Sequence, residues 1–407
     1  MEKMCAMKLR SKNLKKPLSL ALIFAVVLLG QAGIPNAYGL EGNLHGSFKT
    51  FFLGTDEYGL SDNTLRLQAR LYPTDKIIVE TAYSLSPQVL AQEMNTANGA
   101  DSFLSVGGET GYRAYDFDEK LYPEQSSADQ NLAVYHNLDR MYGSVYLPFG
   151  DLYLGRQAIS WGSAHVINPT DIIAPYSFSK LNTEEKGGVD AVRLRIPVGG
   201  MSEIDLGYVA GDEFSYAESA LFARTRLYAA GADMSLLVMD FQENLLIGGD
   251  VTRSIGGAGS WIEAAYVLPE ALGSDGADAE QQYTTVSAGI DYNFGPKLYG
   301  YAEYHFNSPG KNDPSNYTAY TEGSIYLQGR HYAAIGGTYQ LTPLIPVSGM
   351  VLMNITDISA NFSLNIDYNF TKDVYISGGC YLGAGESQST EFAAYPDLYY
   401  VSVKLYF

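Results

Sequence analysis

From Leu40 onward, apolar and polar side chains alternate in runs of about ten residues broken by turn residues, and no helical period of comparable length competes with them. In residues 358–370, Ala360, Phe362, Leu364, Ile366, Tyr368 and Phe370 share one side of a strand, while Ser359, Asn361, Ser363, Asn365, Asp367 and Asn369 share the other. A strand in a globular core also has one apolar face. It rarely backs that face with uninterrupted Asn, Ser and Asp in strand after strand. The opposition recurs where Leu65, Leu67, Ala69 and Leu71 point away from Arg66, Gln68 and Arg70, and where Val192, Leu194 and Ile196 point away from Arg193 and Arg195. Val286, Ala288, Ile290, Tyr292 and Phe294 stand likewise against Ser287, Asp291 and Asn293. Such apolar faces point to lipid and such polar faces to a wet interior.

The final stretch, residues 398–407, sets Tyr399, Val401, Val403, Leu405 and Phe407 against Tyr400, Ser402, Lys404 and Tyr406, and the chain stops on an aromatic residue. Taken alone, this strand fits a soluble sandwich as well as a membrane barrel. In outer-membrane barrels such a strand closes the cylinder and is read by the barrel-assembly machinery, so these five apolar and aromatic residues are the expected assembly signal.

The connections fall into two classes. Short turns are expected at 73–76, 148–151, 198–201, 256–259, 295–296, 342–346 and 371–373; long polar links at 86–129, 161–187, 211–219, 269–280, 307–328 and 384–397. Strict alternation, with both termini at the short-turn end, requires an additional strand at 221–228. The expected fold is therefore all-β: one transmembrane antiparallel β-barrel of about 18 strands, with about 16 as the other count, wide enough to hold water.

The amino terminus carries Lys8, Arg10, Lys12, Lys15 and Lys16, an apolar run over 18–29 and then Ala37-Tyr38-Gly39, the order of a secretory signal peptide cut before Leu40. The run of about 12 residues falls short of the ~20 that a spanning helix needs. Residues 1–39 are thus expected to be a cleaved signal and 40–407 the barrel. Removing the signal takes six Lys or Arg and one Glu from totals of 26 and 45, leaving 20 basic and 44 acidic side chains and a net charge of −24. Such a chain does not seek nucleic acid. The 33 Tyr of the full sequence suit two interfacial girdles. Cys380 stands alone once Cys5 leaves with the signal, and without a Cys-x-x-Cys-His motif the chain attaches no haem; no cofactor and no metal are expected.

One motif stands out: Gly155-Arg-Gln-Ala-Ile-Ser-Trp-Gly162, continuing through Asn168-Pro-Thr-Asp171 and Ile173-Ala-Pro175, after the turn Leu147-Pro-Phe-Gly150. Over residues 139–175 the sequence resembles a group of proteobacterial outer-membrane proteins of porin type, in which a Gly-Arg-Gln strand end, a Trp-Gly pair and an Asn-Pro-x-Asp loop recur. The resemblance implies an integral protein of the Gram-negative outer membrane. Physically, a link of about 25 residues is longer than a strand connection needs. It is expected to fold into the lumen as a constriction carrying Trp161, His165 and Asp171, with Gly162 relieving the backbone and Pro169 and Pro175 stiffening the path. The alternative is a girdle Trp161 beneath an external lid.

Arg66, Arg70, Arg193, Arg195, Arg224 and Arg226 take the polar parity, whereas that of Arg156 and Arg253 is ambiguous. Many carboxylates crowd into the links instead, as at Asp116, Asp212, Glu213 and Glu270. The arginines form either a ladder for anionic solutes or a lattice in which Arg193 and Arg195 pair with Asp190, Glu203 and Asp205. The histidines are scattered and no catalytic spacing occurs, so no enzyme is expected; His305 beside Glu303 reads as a hydrogen-bonded wall pair.

The expected function is a passive channel for small hydrophilic solutes or ions. A second reading makes the barrel a sheath around a multihaem cytochrome in a trans-membrane electron-transfer complex, and a third an adhesin acting through 86–129. Lipid, lipopolysaccharide, the assembly machinery and a homo-trimer are the expected associations.

Overall fold

The computed structural model describes residues 41–55, 59–90, 111–117, 120–123, 131–175, 184–273, 282–317, 327–386 and 390–407. The expected signal segment lies outside the described residues, as do parts of several long links.

The strands are, in chain order, β1 Glu41–Gly54, β2 Gly59–Thr74, β3 Ile77–Leu90, β4 Lys120–Tyr122, β5 Leu132–Leu147, β6 Gly150–Gln157, β7 Val189–Val198, β8 Ser202–Val209, β9 Ala220–Ala229 and β10 Ala232–Phe241. They continue as β11 Asn244–Ile255, β12 Ala258–Leu268, β13 Tyr283–Asn293, β14 Leu298–Asn307, β15 His331–Thr342, β16 Ile345–Asn354, β17 Ser359–Thr371, β18 Val374–Ala384 and β19 Leu398–Tyr406. All but β4 form the wall. Each wall strand pairs antiparallel with its neighbours, and β1 closes on β19 from Ser47 opposite Tyr406 to Gly54 opposite Tyr399. The result is a closed cylinder of 18 wall strands, which leaves no sheet edge to be hydrated within a bilayer. The strand required at 221–228 is β9.

Side-chain parity follows the sequence pattern. On β17, Phe362, Leu364, Ile366, Tyr368 and Phe370 are exposed outside, while Ser359 and Asn361 are buried inside. Short turns gather at one end of the barrel. At the other end the connections across 55–58, 355–358 and the two-residue turn of Gln242 and Glu243 are also short, so only part of that rim carries long loops. Both turn residues there have positive φ, the geometry that matches strand twist.

The wall is irregular at β6. It stays in register with β5 only from Leu147 opposite Gly150 to Met141 opposite Arg156. Gly155 has φ +113°, and a Cβ there would sit 2.3 Å from the Met141 carbonyl oxygen. Only glycine fits that close approach, and Arg156 stays in register opposite Met141 and Asp190. After Gln157 the chain turns into the lumen, and the edge of β5 that it abandons is taken by β4, with Lys120 and Tyr122 opposite Tyr135 and Val134. Beside β4, the Asp190 amide donates to the Tyr112 carbonyl, and Arg156 bridges Asp190 (2.8 Å) and Asp116 (3.1 Å). Part of the link after β3 therefore patches the wall where β6 leaves it.

Candidate functional site

The stretch that leaves β6 crosses the lumen as a strap. Its outer half is held by two carboxylates on the opposite wall, Glu263 on β12 and Glu303 on β14, six and eight strands round the barrel from β6. Both face inward, since their neighbours Ile262 and Tyr304 are exposed on the lipid side. Glu263 accepts the amides of Ser163 (2.7 Å), Ala164 (3.1 Å) and Thr170 (2.9 Å) and the Thr170 hydroxyl (2.8 Å). Glu303 accepts the amides of His165 (2.8 Å) and Ile167 (2.9 Å) and the Trp261 indole N–H (3.0 Å). Glu263 is fully buried and Glu303 is 5% exposed, so each needs several donors to offset lost hydration. The strap backbone provides them.

Apolar packing completes the attachment. Ile159, Trp161 and Ile173 of the strap join Phe222, Leu237, Met239, Leu246 and Val267 on the inner faces of β9 to β12. The Trp161 and Phe222 rings meet edge to face, with centroids 4.6 Å apart. At the tip, Ile167 packs with Tyr332, Leu352 and Phe392. Gly162 makes the turn possible: its φ is +104°, and a Cβ would lie 2.3 Å from Asn168 Oδ1.

The strap then returns. Asp171 is ion-paired with Lys186 and accepts from the Ser160 hydroxyl (3.2 Å); burial pushes its carboxyl above the usual range, against the pull of Lys186. Glu184 reaches the β1/β19 seam, where it binds Lys49 Nζ (2.6 Å), Lys404 Nζ (2.5 Å) and the Tyr406 hydroxyl (2.6 Å). Burial alone would raise its carboxyl, but those donors hold it down at about 2. Glu185 meets Arg66 on β2 at 3.3 Å. The strap thus touches the wall on both sides of the lumen.

Solved structures with this architecture are outer-membrane proteins. Pseudomonas aeruginosa OpdK, in a crystal structure with vanillate, aligns with a TM-score of 0.57 at 8% identity over 90% of this chain and 98% of its own. A BenF-like porin from Pseudomonas fluorescens Pf-5 gives 0.56 at 8% over 90% and 98%, and Acinetobacter baumannii OccAB2 gives 0.53 at 9% over 90% and 98%. The barrel shares its fold with these porins. No protein-family model matches the sequence, and no curated protein matches it either.

Within that fold, the predicted site residues separate. Arg66 is buried and paired with Asp139 (2.7 Å), and Arg70 with Glu80 (2.6 Å). Arg193 grips Asp205 through Nε (2.8 Å) and Nη2 (2.5 Å), while Arg195 binds Glu203 (2.6 Å). Asp190, the third expected partner, binds Arg156 instead. Arg224 lies 3.7 Å from Asp250, whereas Arg226 is exposed and has no ion pair among the described residues. Glu80, Asp139, Glu203, Asp205 and Asp250 thus interleave with the arginines on the wall, and Arg193 and Arg195 take two of the partners the lattice alternative names. A buried cation without a counter-charge would be too costly.

Trp161 and Asp171 are buried inside the strap's attachment, so neither lines open lumen and Trp161 is not a girdle residue. His165 is partly exposed, stacked on Trp261 (3.9 Å between centroids) with Nε2 3.6 Å from Asp291. Arg253 shares the outward parity of Val251 and Ile255 close to a short turn, where the cost of a lipid-facing arginine falls to about 0–1 kcal/mol. Arg330 precedes β15 and donates to the Gly310 carbonyl (3.1 Å). His305 is bonded to Ser287 (2.8 Å) inside the wall. On the closing strand, Tyr399, Val401 and Val403 are exposed outside and Leu405 and Phe407 half-buried. The anchoring roles of Glu263 and Glu303 escape sequence reasoning, because a carboxylate on a polar face carries no mark of the backbone amides it receives from a distant loop.

Proposed function

We propose that this chain is an outer-membrane channel for passive diffusion of small hydrophilic solutes or ions. The observation that carries the reading is a closed wall, apolar outside and charge-paired inside, whose lumen is narrowed by a strap pinned to both sides. A polar lining of fixed charges orients solutes, while a strap narrows the passage without closing the wall.

The finer proposal is a preference for carboxylated solutes. Arg226 is exposed without an ion pair among the described residues, and the side chain of Arg70 is 45% exposed despite its partner. OpdK, one of the similar structures, was crystallised with vanillate, a carboxylate. In planar bilayers the folded protein should give stepwise conductance, and Arg226→Glu should move the reversal potential toward cations. Folded protein that never conducts defeats the channel reading; an unmoved reversal potential defeats only the carboxylate preference.

The sheath reading draws no support, because a multihaem cytochrome needs a free bore and this bore is crossed by the chain itself. Recognition of the closing strand by the assembly machinery, a lipopolysaccharide surround and a homo-trimer belong to the same proposal.

A further inference from the structure

The β1/β19 seam places Lys49 directly opposite Lys404, two like charges in adjacent strands of the wall. Such a pair is destabilising unless an anion bridges it. Lys49 is 2% exposed, so its ammonium cannot rely on water. The other paired lumen cations on β2, β7 and β9 all have a carboxylate on a wall strand, as in Arg66 with Asp139 and Arg193 with Asp205. Here the register partners across the neighbouring strands are Thr64 and Tyr375, and the counter-ion, Glu184, comes from the strap. Two ammonium groups and the Tyr406 hydroxyl converge on its carboxylate.

We infer that Lys49, Lys404 and Tyr406 form a carboxylate-binding site on the lumen wall whose resting occupant is Glu184, a tethered competitor that an arriving small monocarboxylate displaces. The inference rests on the channel reading for its role in transport, but the site itself stands on its geometry. A cavity of about 520 Å³ adjoins Glu184, lined also by Tyr375, Ser377, Asp367 and Pro346, and gives room for the body of a small ligand whose carboxylate takes the place of Glu184. Because those donors keep Glu184 ionised, a proton does not vacate the site at ordinary pH; another anion has to. Displacement also frees Glu184 from β1 and β19 while Glu185 stays on Arg66 of β2, so occupancy and the position of this part of the strap are linked.

The test is calorimetric titration of butyrate into the folded, full-length barrel in detergent. A tethered competitor at an effective concentration in the millimolar range lowers the apparent affinity of a weak ligand, so Glu184→Gln should bind butyrate about tenfold more tightly than wild type. Lys404→Gln added to Glu184→Gln should abolish that gain, with heat-modifiable electrophoretic mobility confirming that each variant is folded. Equal affinity of wild type and Glu184→Gln, or a gain that survives Lys404→Gln, overturns the inference. Failure of the channel reading is separate: it shows as absent conductance in bilayers, whatever the titration gives.

Discussion

At the scale of single residues, the lumen is governed by the cost of leaving a charge alone. Arg193 and Asp205 are bonded through two nitrogen–oxygen contacts, with Asp205 only 2% exposed, so reversing Arg193 leaves a carboxylate facing a carboxylate. Breaking a buried pair from one side costs about 3–5 kcal/mol, and Arg193→Glu should lower the thermal unfolding midpoint of the detergent-folded barrel clearly. Arg226→Glu, at an exposed position, should leave that midpoint close to wild type. Comparable losses in the two variants would show that pairing does not decide stability here.

The same logic gives a pH dependence. The folded Glu184 carboxyl sits at about 2, below its ordinary 4.5, so its stabilising contribution is present above pH 4.5 and is lost as pH falls toward about 2. The difference in single-channel conductance of the folded barrel between wild type and Glu184→Gln should therefore be constant from pH 8 to 4.5 and shrink only as pH approaches about 2. A difference that disappears between pH 7 and 6 would contradict this assignment.

At the scale of elements, the closing strand and the strap carry the account. The Phe407 amide and carbonyl both bond to Gly46 (2.9 and 2.7 Å), and its ring lies where a Cβ on Gly46 would be 2.3 Å away. Deleting Phe407 removes this last rung of the seam. It should reduce the amount of barrel in the outer membrane, measured by fractionation, and leave the conductance of inserted molecules unchanged; normal levels would show that the rung is dispensable for assembly.

Legibility also differs by element. Strands such as β17 were readable because lipid lies on one side and water on the other, so alternation is unbroken. β10 is less clear, since Leu237 and Met239 face the strap's apolar core while Leu236 and Val238 face lipid, giving a continuous apolar run. The infolding of the strap was legible from link length, Gly162 and the prolines. Its anchoring was not: Glu263 and Glu303 lie about 100 and 140 residues from the amides they bind, and only the closed fold brings them together. The patch by β4 was hidden for the same reason, being a consequence of β6 leaving the wall.

At the scale of the molecule, a barrel of 18 wall strands is stable as a cylinder whether or not its interior is crossed, since the wall satisfies its own backbone. The strap is an addition held by three kinds of contact: amides on Glu263 and Glu303 and apolar packing on β9 to β12 at one wall, and Glu184 on two lysines at the other. Freed amides in a wet lumen can be hydrated, so loss of the two wall anchors should loosen the tip of the strap without unfolding the barrel, while the apolar packing of Ile159, Trp161 and Ile173 still holds its base. The most direct measurement is therefore single-channel conductance in planar bilayers of wild type beside the Glu263→Ala/Glu303→Ala double variant. Discrete steps in wild type, enlarged about twofold or more in the folded variant, are the predicted result; silent wild-type protein, or steps of equal size in both, would contradict a channel narrowed by its own loop.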